Sequence, residues 1–415
     1  MEKIIPILYA EYGRYISRFR AIPYYIDVLR PVERRILLST FEIAKNYTKS
    51  AKVLGYCMGN YHPHSDAYST LVKLVNLGYI EGQGNFGCDG LVPSEAAASR
   101  YTEVRITKWI SELAFKFIDY VEWKNFEFDK EPEFLPSPIP VGLIGNSINQ
   151  GMAFHKTVVP QYDIKDLVKR LKFLIGKTKE DVIIKPVIKG HIVESSKSEI
   201  KALLKSGESK IKIITKHKKI DERNIDLLGV PIASAKNKFS KYIENNKLDV
   251  NDFSSKDITI RVTGKIDYTD FINNVLTNYV YYNILLVDND GKVSKYGVDD
   301  ILIRNYDMFT KTVKKYLENA KIKAEDKLTE LMVIKEIKSV MKEHNINTTD
   351  QLIKHCKSDP ELVKKVISKY TINTLVNLKV DLDKQKEEID NIKNKLNNLD
   401  NEVYTYLENV ESLVM

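Results

Sequence analysis

The sequence predicts a multidomain α+β protein that ends in a long antiparallel coiled coil. Helical periodicity fills residues 3–56, short strand-like runs alternate with helical ones from 155 to 300, and a heptad repeat dominates the C-terminal end. At 415 residues the chain is long enough for two or three domains with separate cores.

Composition narrows the class of protein. With 43% apolar and 29% charged residues, and no apolar run near the roughly 18 residues of a membrane helix, we expect a soluble protein without a signal peptide. Cys57, Cys88 and Cys356 are too few and too far apart for a disulfide framework or a zinc site, which indicates a reducing cytoplasm. The net charge is +8, and residues 1–60 hold ten Lys or Arg against five Asp or Glu. Such a basic segment suits a polyanion, although a solvated surface has the same composition.

The N-terminal region contains two candidate phosphate-binding segments. Pro31 opens a helix in which Arg34 and Arg35 precede an apolar stripe, so these cations are predicted at an edge that contacts phosphate. Further along, His62 and His64 flank Pro63, and in an extended segment both rings project to one face. A metal site there would have only Asp66 as a further ligand, so phosphate contact is the favoured function and a surface turn is the alternative.

Tyr101 is the candidate nucleophile of the chain. The alanines at 96–98 predict a helical approach to it, and Arg100 and Arg105 would place cations near a phenol whose pKa is ordinarily about 10. Before it, Gly82, Gly84 and Gly87 match the Gly-x-Gly-x-x-Gly spacing of dinucleotide folds. Gly90 and Pro93 would break the helix that such a site requires, so a close-packed turn leading to Tyr101 is predicted instead.

A proline-rich connector separates this region from the next. Four prolines between 132 and 140 preclude a helix, and Ile148 follows among Gly, Asn and Ser, either as an exposed apolar wedge or as an ordinary core residue. Beyond it, strands are predicted at Val182–Ile188 and Lys210–Thr215. The Asp-Asn-Asp-Gly run from Asp288 is predicted to be the turn of a hairpin and not a magnesium site.

The C-terminal region predicts two antiparallel helices joined by a small helical knob. Apolar residues alternate at three and four positions from Leu375 to Leu413, with Gln385 as the polar exception, and a matching stripe runs from Phe309 to Leu331. Capping signals at Thr348–Asp350 and Ser358–Pro360 fall between them.

Several of these elements resemble, in order, the breakage-reunion subunit of type IIA DNA topoisomerases, the class of gyrase A and topoisomerase IV C subunits. The detailed match covers roughly residues 15–152. The motifs that carry it are Arg20-Ala-Ile-Pro, Arg30-Pro-Val-Glu-Arg-Arg, Tyr61-His-Pro-His-Ser-Asp, Gly82-Gln-Gly-Asn-Phe-Gly and Ala96-Ala-Ala-Ser-Arg-Tyr-Thr-Glu. The resemblance implies a winged-helix domain (1–140), a tower domain (141–300) and a coiled coil (301–415) whose knob, at about 345–372, is a dimerisation gate.

The resemblance also implies roles for individual residues. Tyr101 would attack DNA and leave a 5′-phosphotyrosyl link, with Arg100 stabilising the transition state. Ile148 would intercalate and bend the duplex. The remaining matches are Arg20, His62 and His64 near the scissile phosphate, and Arg30, Arg34 and Arg35 as DNA contacts.

In this family ATP and Mg²⁺ belong to a separate gyrase B-like subunit, so the chain is expected to be inactive alone. We expect a homodimer that binds double-stranded DNA and that subunit in the cytoplasm of a bacterial or phage-infected cell. The chain resembles the short phage form without a C-terminal β-propeller, which favours relaxation and decatenation over supercoiling. Ser65 and Ala67 depart from the family pattern and the following helix is about two residues shorter, which argues against a quinolone response. As a separate departure, Glu33 replaces a frequent histidine.

Two other classes of protein are the alternatives. A non-catalytic, dimeric DNA-binding scaffold would share the fold, but it has no physical need for the set Arg20, His62, His64, Arg100 and Tyr101. A nucleotide-dependent oxidoreductase is weaker, because the glycine spacing lacks its helix.

Overall fold

The computed structural model describes residues 4–63, 67–88, 90–91, 93–125, 130–152, 155–232, 235–254, 257–344 and 348–413. These divide into two compact units, Met1–Phe309 with Tyr406–Met415, and Thr310–Thr405. None of the helices in these ranges combines the length and the apolarity that a membrane crossing needs. The division of the first unit at residue 140 stays a prediction.

The first unit begins with several helices and a small sheet. Its helices are α1 (Ile4–Ile16), a π-helical turn (Ser17–Ala21), α2 (Pro31–Ile43), α3 (Ser50–Asn60), α4 (Tyr68–Asn76) and α5 (Lys108–Ala114). The strands β1 (Thr48–Lys49), β2 (Ile80–Gln83) and β3 (Glu103–Ile106) form an antiparallel sheet in the order β1-β3-β2. A single apolar core joins α2, α3 and α4 to β2 and β3. As predicted, Pro31 opens α2, where its missing N–H costs nothing.

The connector carries little regular structure. It comprises a 3-10 turn (Ile118–Tyr120), the paired strands β4 (Trp123–Asn125) and β5 (Lys130–Pro132), and a second 3-10 turn (Val141–Leu143). Gly142 lies so close to the loop before α2 that a Cβ at this position would overlap the Val28 carbonyl. The connector is therefore held against the segment that positions α2.

The rest of the first unit is built on two antiparallel sheets. The larger has the order β6-β7-β14-β9-β8, and the smaller the order β10-β11-β13-β12. The larger sheet contains β6 (Ile148–Met152), β7 (Lys156–Pro160), β8 (His191–Val193), β9 (Glu208–Thr215) and β14 (Thr277–Asn283). The smaller contains β10 (His217–Lys219), β11 (Asn224–Leu227), β12 (Asp249–Asp252) and β13 (Ile260–Thr263). The accompanying helices are α6 (Ile164–Leu174), α7 (Lys197–Ser206), α8 (Lys236–Asn245), α9 (Tyr268–Asp270) and a π-helical turn (Phe271–Leu276).

The strand predictions for this region have mixed outcomes. The strand over Lys210–Thr215 is confirmed within β9. The hairpin is also confirmed, since β15 (Leu285–Val287) pairs with β16 (Val293–Lys295) and the Asp288 carboxylate accepts from the Lys292 N–H at 2.9 Å. The strand predicted at Val182–Ile188 is wrong. None of its residues belongs to a strand, although the Val187 N–H donates to the Gln161 carbonyl at 2.8 Å. Pro186 removes one of the donors that a ladder needs.

The second unit is helical. The long helix α10 (Val298–His344) enters it and is followed by α11 (Thr349–His355), α12 (Pro360–Lys369), α13 (Ile372–Asn377), α14 (Leu382–Asn397) and α15 (Leu399–Leu413). Every predicted stripe position from Leu375 to Leu413 is buried or half-buried. The polar exception, Gln385, is 4% exposed and its Nε2 donates to the Ala324 carbonyl of α10 at 3.3 Å.

The expected continuity of the last helix is wrong. The chain leaves the helix at Leu378, which is extended, and again at Asn398, the C-cap of α14. Asp381 restarts the helix by accepting from the Lys384 N–H at 3.0 Å. Asparagine is a weak helix former, which accounts for the second break, while the apolar stripe continues across it.

Candidate active site

Tyr101 lies in a turn immediately before β3. Its backbone N–H donates to the Ala98 carbonyl at 2.8 Å. The next residue, Thr102, is fully buried, and its hydroxyl donates to Ser50 Oγ at the start of α3 at 2.8 Å. The Ser50 N–H in turn donates to the Thr102 carbonyl at 2.9 Å. The backbone that carries the phenol is thereby clamped to α3.

The helical approach predicted from the alanines is wrong. Residues 95–98 have no regular secondary structure, and the Ala97 N–H donates to the Asn85 carbonyl at 2.9 Å. The Tyr68 hydroxyl is hydrogen-bonded to the Ala97 carbonyl. Three alanines are too few to offset the cost of starting a helix, so tertiary hydrogen bonds take these backbone groups.

The phenol faces solvent beside one cation. Tyr101 is 65% exposed, and the Arg100 guanidinium carbon lies 4.5 Å from the centre of its ring. Arg105, expected to add to this field, lies instead on β3, where it bonds Glu81 at 2.7 and 3.0 Å and covers the Tyr47 ring. Within the described ranges, neither Arg20 nor His62 is bonded to Tyr101.

His62 lies two residues beyond the end of α3, against a buried ion pair. Its backbone N–H donates to the Cys57 carbonyl at 2.7 Å, and its side chain is only 7% exposed. Arg35 Nη1 lies 3.2 Å from the ring nitrogen Nδ1. The same guanidinium is fully buried and makes two bonds of 2.8 Å to the Glu131 carboxylate. The structure thus brings together Arg35 and His62, two of the predicted site residues.

Arg34 also points inward, not to the edge that the sequence predicted. It is 4% exposed, and it bonds the fully buried Asp27 at 2.7 and 3.0 Å. Asp27 accepts from the backbone N–H groups of Leu29 and Leu135 as well, at 3.1 and 3.0 Å. Burial by itself would lower the pKa of Arg34, but the Asp27 carboxylate outweighs it and the pKa is raised. DNA contact at Arg34 and Arg35 stays a prediction, and the expected exposed placement is wrong for both.

Arg30 is more exposed and is held by Glu33. The Glu33 carboxylate accepts from the Arg30 backbone and side chain, both at 2.9 Å, and pairs with Lys73 at 3.0 Å. Burial would raise the pKa of Glu33, but Lys73 and Arg30 outweigh it and lower the pKa to about 2. Glu33, the residue that replaces a frequent histidine of the family, therefore joins the start of α2 to α4.

Arg20 and Ile148 lie on neighbouring segments. Arg20 is exposed on the π-helical turn Ser17–Ala21. A Cβ at Gly151 of β6 would overlap the Ala21 carbonyl, so β6 runs directly past this turn. Ile148, also on β6, is half-buried and lines a groove of about 710 Å³. Other residues of the groove are Lys156, Val158, Tyr279 and Tyr281.

His64 and Asp66 fall outside the described residues. In the part of the chain that is described, no group of three or more His, Cys, Asp or Glu side chains is placed to hold a metal ion. His62, a candidate ligand from the sequence, has the Arg35 guanidinium at its Nδ1 instead.

Sequence reasoning missed Asp27 and Glu131. Each is a buried carboxylate that receives a guanidinium from α2. Glu131 lies 96 positions beyond Arg35, so no local spacing relates them. The sequence held only a weak signal for these two carboxylates. Arg34 and Arg35 are adjacent in a helix with an apolar stripe, and an arginine that faces the core needs a buried anion as its partner.

Comparison with known proteins gives the family. The family of the A subunits of DNA gyrase and topoisomerase IV matches residues 20–413. The DNA gyrase A subunit of Clostridium acetobutylicum is 30% identical over 320 residues, which is 68% of this chain and 37% of that protein. The DNA gyrase A subunit of Aminobacterium colombiense is 39% identical over 198 residues, which is 43% of this chain and 23% of that protein. The topoisomerase IV A subunit of Haemophilus influenzae is 28% identical over 356 residues, which is 75% of this chain and 46% of that protein. The chain spans less than half the length of these relatives. By the extent of these matches, the chain belongs to the family of DNA gyrase and topoisomerase IV A subunits.

Proposed function

We propose that this chain is the breakage-reunion subunit of an ATP-dependent type IIA topoisomerase that relaxes or decatenates DNA. The observation that carries the proposal is the phenol of Tyr101, which is 65% exposed on a clamped backbone beside Arg100. A nucleophile that attacks a phosphodiester from outside the protein needs both access and a fixed position.

The proposed chemistry is transesterification. The Tyr101 oxygen forms a bond to a DNA phosphorus as the bond from phosphorus to the 3′ oxygen breaks. The phenol loses its proton and the 3′ oxygen gains one, so the step has no net proton change. Because the phosphotyrosyl link retains a phosphodiester, resealing is the reverse step and needs no nucleotide.

Cations around the phosphate would stabilise the extra charge of the transition state. Arg100 is beside the phenol, and we propose that Arg20, His62 and His64 approach the same phosphate when DNA is bound. We also propose Arg30, at the start of α2, as a phosphate contact, because part of its side chain is exposed. DNA contact at Arg34 and Arg35 stays part of the proposal, although in this structure their guanidinium groups face Asp27 and Glu131.

The exposed face of the larger sheet supports a path for the duplex. Ile148 would insert between base pairs and bend the DNA. Lys210 Nζ lies 4.4 Å from the centre of the Tyr279 ring on the same sheet, and Tyr279 and Tyr281 are about half exposed. Lysines alternating with aromatic rings suit a polyanion with flat bases.

We propose the family architecture for the rest of the chain. The sheet β1-β3-β2 with α2, α3 and α4 would form the winged-helix domain. The larger sheet (β6-β7-β14-β9-β8) and the smaller sheet (β10-β11-β13-β12) would form the tower. The knob of α11 and α12 would close a homodimer. Sedimentation at micromolar concentration tests the last point, and a monomeric mass would contradict it.

Mg²⁺ and ATP are proposed to bind a gyrase B-like partner subunit. The donors described in this chain do not form a metal-binding group, so no step above is assigned to a metal held by its own residues. ATP would drive gating. The chain alone is therefore expected not to cleave DNA.

A cleavage trap tests the proposal. The chain is mixed with its partner subunit, Mg²⁺ and supercoiled plasmid, then denatured with detergent and digested with protease. Linear DNA with protein at its 5′ ends is expected from the native chain, and none from Tyr101→Phe. If a verified partner gives binding without cleavage, the non-catalytic scaffold becomes the better interpretation.

A further inference from the structure

We infer that Glu131 is a positioning residue that acts through Arg35 to fix the orientation and the tautomer of the His62 ring. The inference deepens the proposed function and rests on it. It adds to the reaction a carboxylate that does not itself approach DNA.

Three separate elements converge on this cluster. Arg35 comes from α2, His62 from the segment just after α3, and Glu131 from β5. Glu131 Oε2 and Oε1 each accept from Arg35 at 2.8 Å, which fixes the plane of the guanidinium. Arg35 is 0% exposed, Glu131 3% and His62 7%, so all three side chains are held by surrounding atoms.

The contact between Arg35 and His62 determines where the ring proton lies. A guanidinium has five N–H donors and no acceptor. Nδ1 of His62, 3.2 Å from Arg35 Nη1, must therefore accept, and Nε2 is the nitrogen that carries the proton. As the proposed function requires, a ring fixed in this way would offer its Nε2–H as a donor to a phosphate oxygen of bound DNA, and not a basic nitrogen.

Glu131 is what keeps the guanidinium in place. In Glu131→Gln one carboxylate oxygen becomes an NH₂ group, which cannot accept from Arg35. The two-bond fork is then lost, and Arg35 is free to turn away from Nδ1. A small displacement of a group that contacts the reacting phosphate is enough to slow a reaction by about a hundredfold.

The structure offers a matched control. Asp226 accepts two bonds from Arg261, at 2.7 and 2.9 Å, in the smaller sheet. Asp226→Asn therefore breaks another two-bond carboxylate–guanidinium fork, in a sheet to which the proposal assigns no part in cleavage. Its cleavage rate is expected to equal that of the native chain.

The test is a double-mutant cycle on cleavage. Rates of covalent-complex formation at saturating DNA, with the partner subunit present, are measured for the native chain, Glu131→Gln, His62→Ala and the double variant. Each single change is expected to slow cleavage about ten- to a hundredfold. The double variant should be no slower than His62→Ala, because Glu131 acts only through that ring. DNA affinity should stay within about twofold for Glu131→Gln, since its side chain is buried.

Two results overturn the inference. The first is a double variant whose cleavage rate falls by the product of the two single-variant factors, and the second is a native cleavage rate for Glu131→Gln. Thermal unfolding checks that each variant is folded. If Glu131→Gln does not fold, Arg35→Lys replaces it, because a lysine keeps the charge but cannot bond Glu131 and His62 in this geometry. Tyr101→Phe runs in parallel. If the native chain forms no link that depends on Tyr101, the proposed function itself fails.

Discussion

Glu33 should contribute a large, pH-dependent part of the stability of the N-terminal core. Its carboxylate is 2% exposed and joins the backbone and side chain of Arg30 to Lys73. Glu33→Gln keeps the size of the side chain but removes the charge. It therefore leaves two cations facing a neutral amide.

The magnitude follows from the pKa. The pKa of Glu33 falls from an ordinary 4.5 to about 2 in the folded chain. At 1.36 kcal/mol per pH unit, this lowering corresponds to about 3 kcal/mol of folding free energy. Because the pKa is lower in the folded state, the contribution is complete above pH 4.5 and is lost as the pH falls towards 2. At pH 3.5 about 2 kcal/mol should remain.

The assay is urea unfolding followed by tryptophan fluorescence. The only two tryptophans, Trp109 and Trp123, pack against the core that contains α2, so their emission reports this part of the chain. The native chain and Glu33→Gln are compared at pH 7 and pH 3.5. The control is Glu112→Gln, since Glu112 is 46% exposed and 3.8 Å from Lys108. It should change stability by less than about 1 kcal/mol. A difference for Glu33→Gln that is below about 1 kcal/mol at pH 7, or that does not shrink at pH 3.5, would refute the reasoning.

Three further outcomes are expected. Gly151→Ala should destabilise the first unit by about 1–3 kcal/mol in urea unfolding and reduce DNA bending measured by end-to-end energy transfer, because the new Cβ pushes β6 from the Arg20 turn. Unchanged values would contradict this packing. Gln385→Leu should raise the thermal midpoint of the helical unit, followed by circular dichroism, because it replaces a single 3.3 Å hydrogen bond with apolar contact in the stripe; a lower midpoint would show that the bond is needed. At pH 8 a thiol reagent should label exposed Cys88 quickly and Cys57 only after unfolding, because burial raises the pKa of the Cys57 thiol to about 11. Equal rates in the folded protein would contradict the burial.

Some features followed directly from local sequence. The stripe from Leu375 to Leu413 is buried or half-buried as its spacing predicted, and the hairpin after Ile284 forms around its Asp-Gly turn. In both cases the determining contacts lie within a few residues or repeat regularly. Periodicity and turn chemistry are then sufficient.

Other local signals were overridden by distant partners. The alanines before Tyr101 favour a helix, yet their backbone groups bond Asn85 and Tyr68. Arg34 and Arg35 look like surface cations on a helix, yet buried carboxylates from other segments receive both. Helix propensity amounts to tenths of a kcal/mol per residue, whereas an unpaired buried polar group costs several times more.

The sequence by itself determined the family, the candidate nucleophile and the helical end of this protein, because motif order, the Arg100–Tyr101 pair and heptad spacing are written along the chain. Only the tertiary structure decided that Asp27 and Glu131 hold the α2 arginines inside, and that His62 meets Arg35. These contacts join residues up to 96 positions apart. Charge pairing in the interior depends on which groups lose water together, and that is a property of the folded chain.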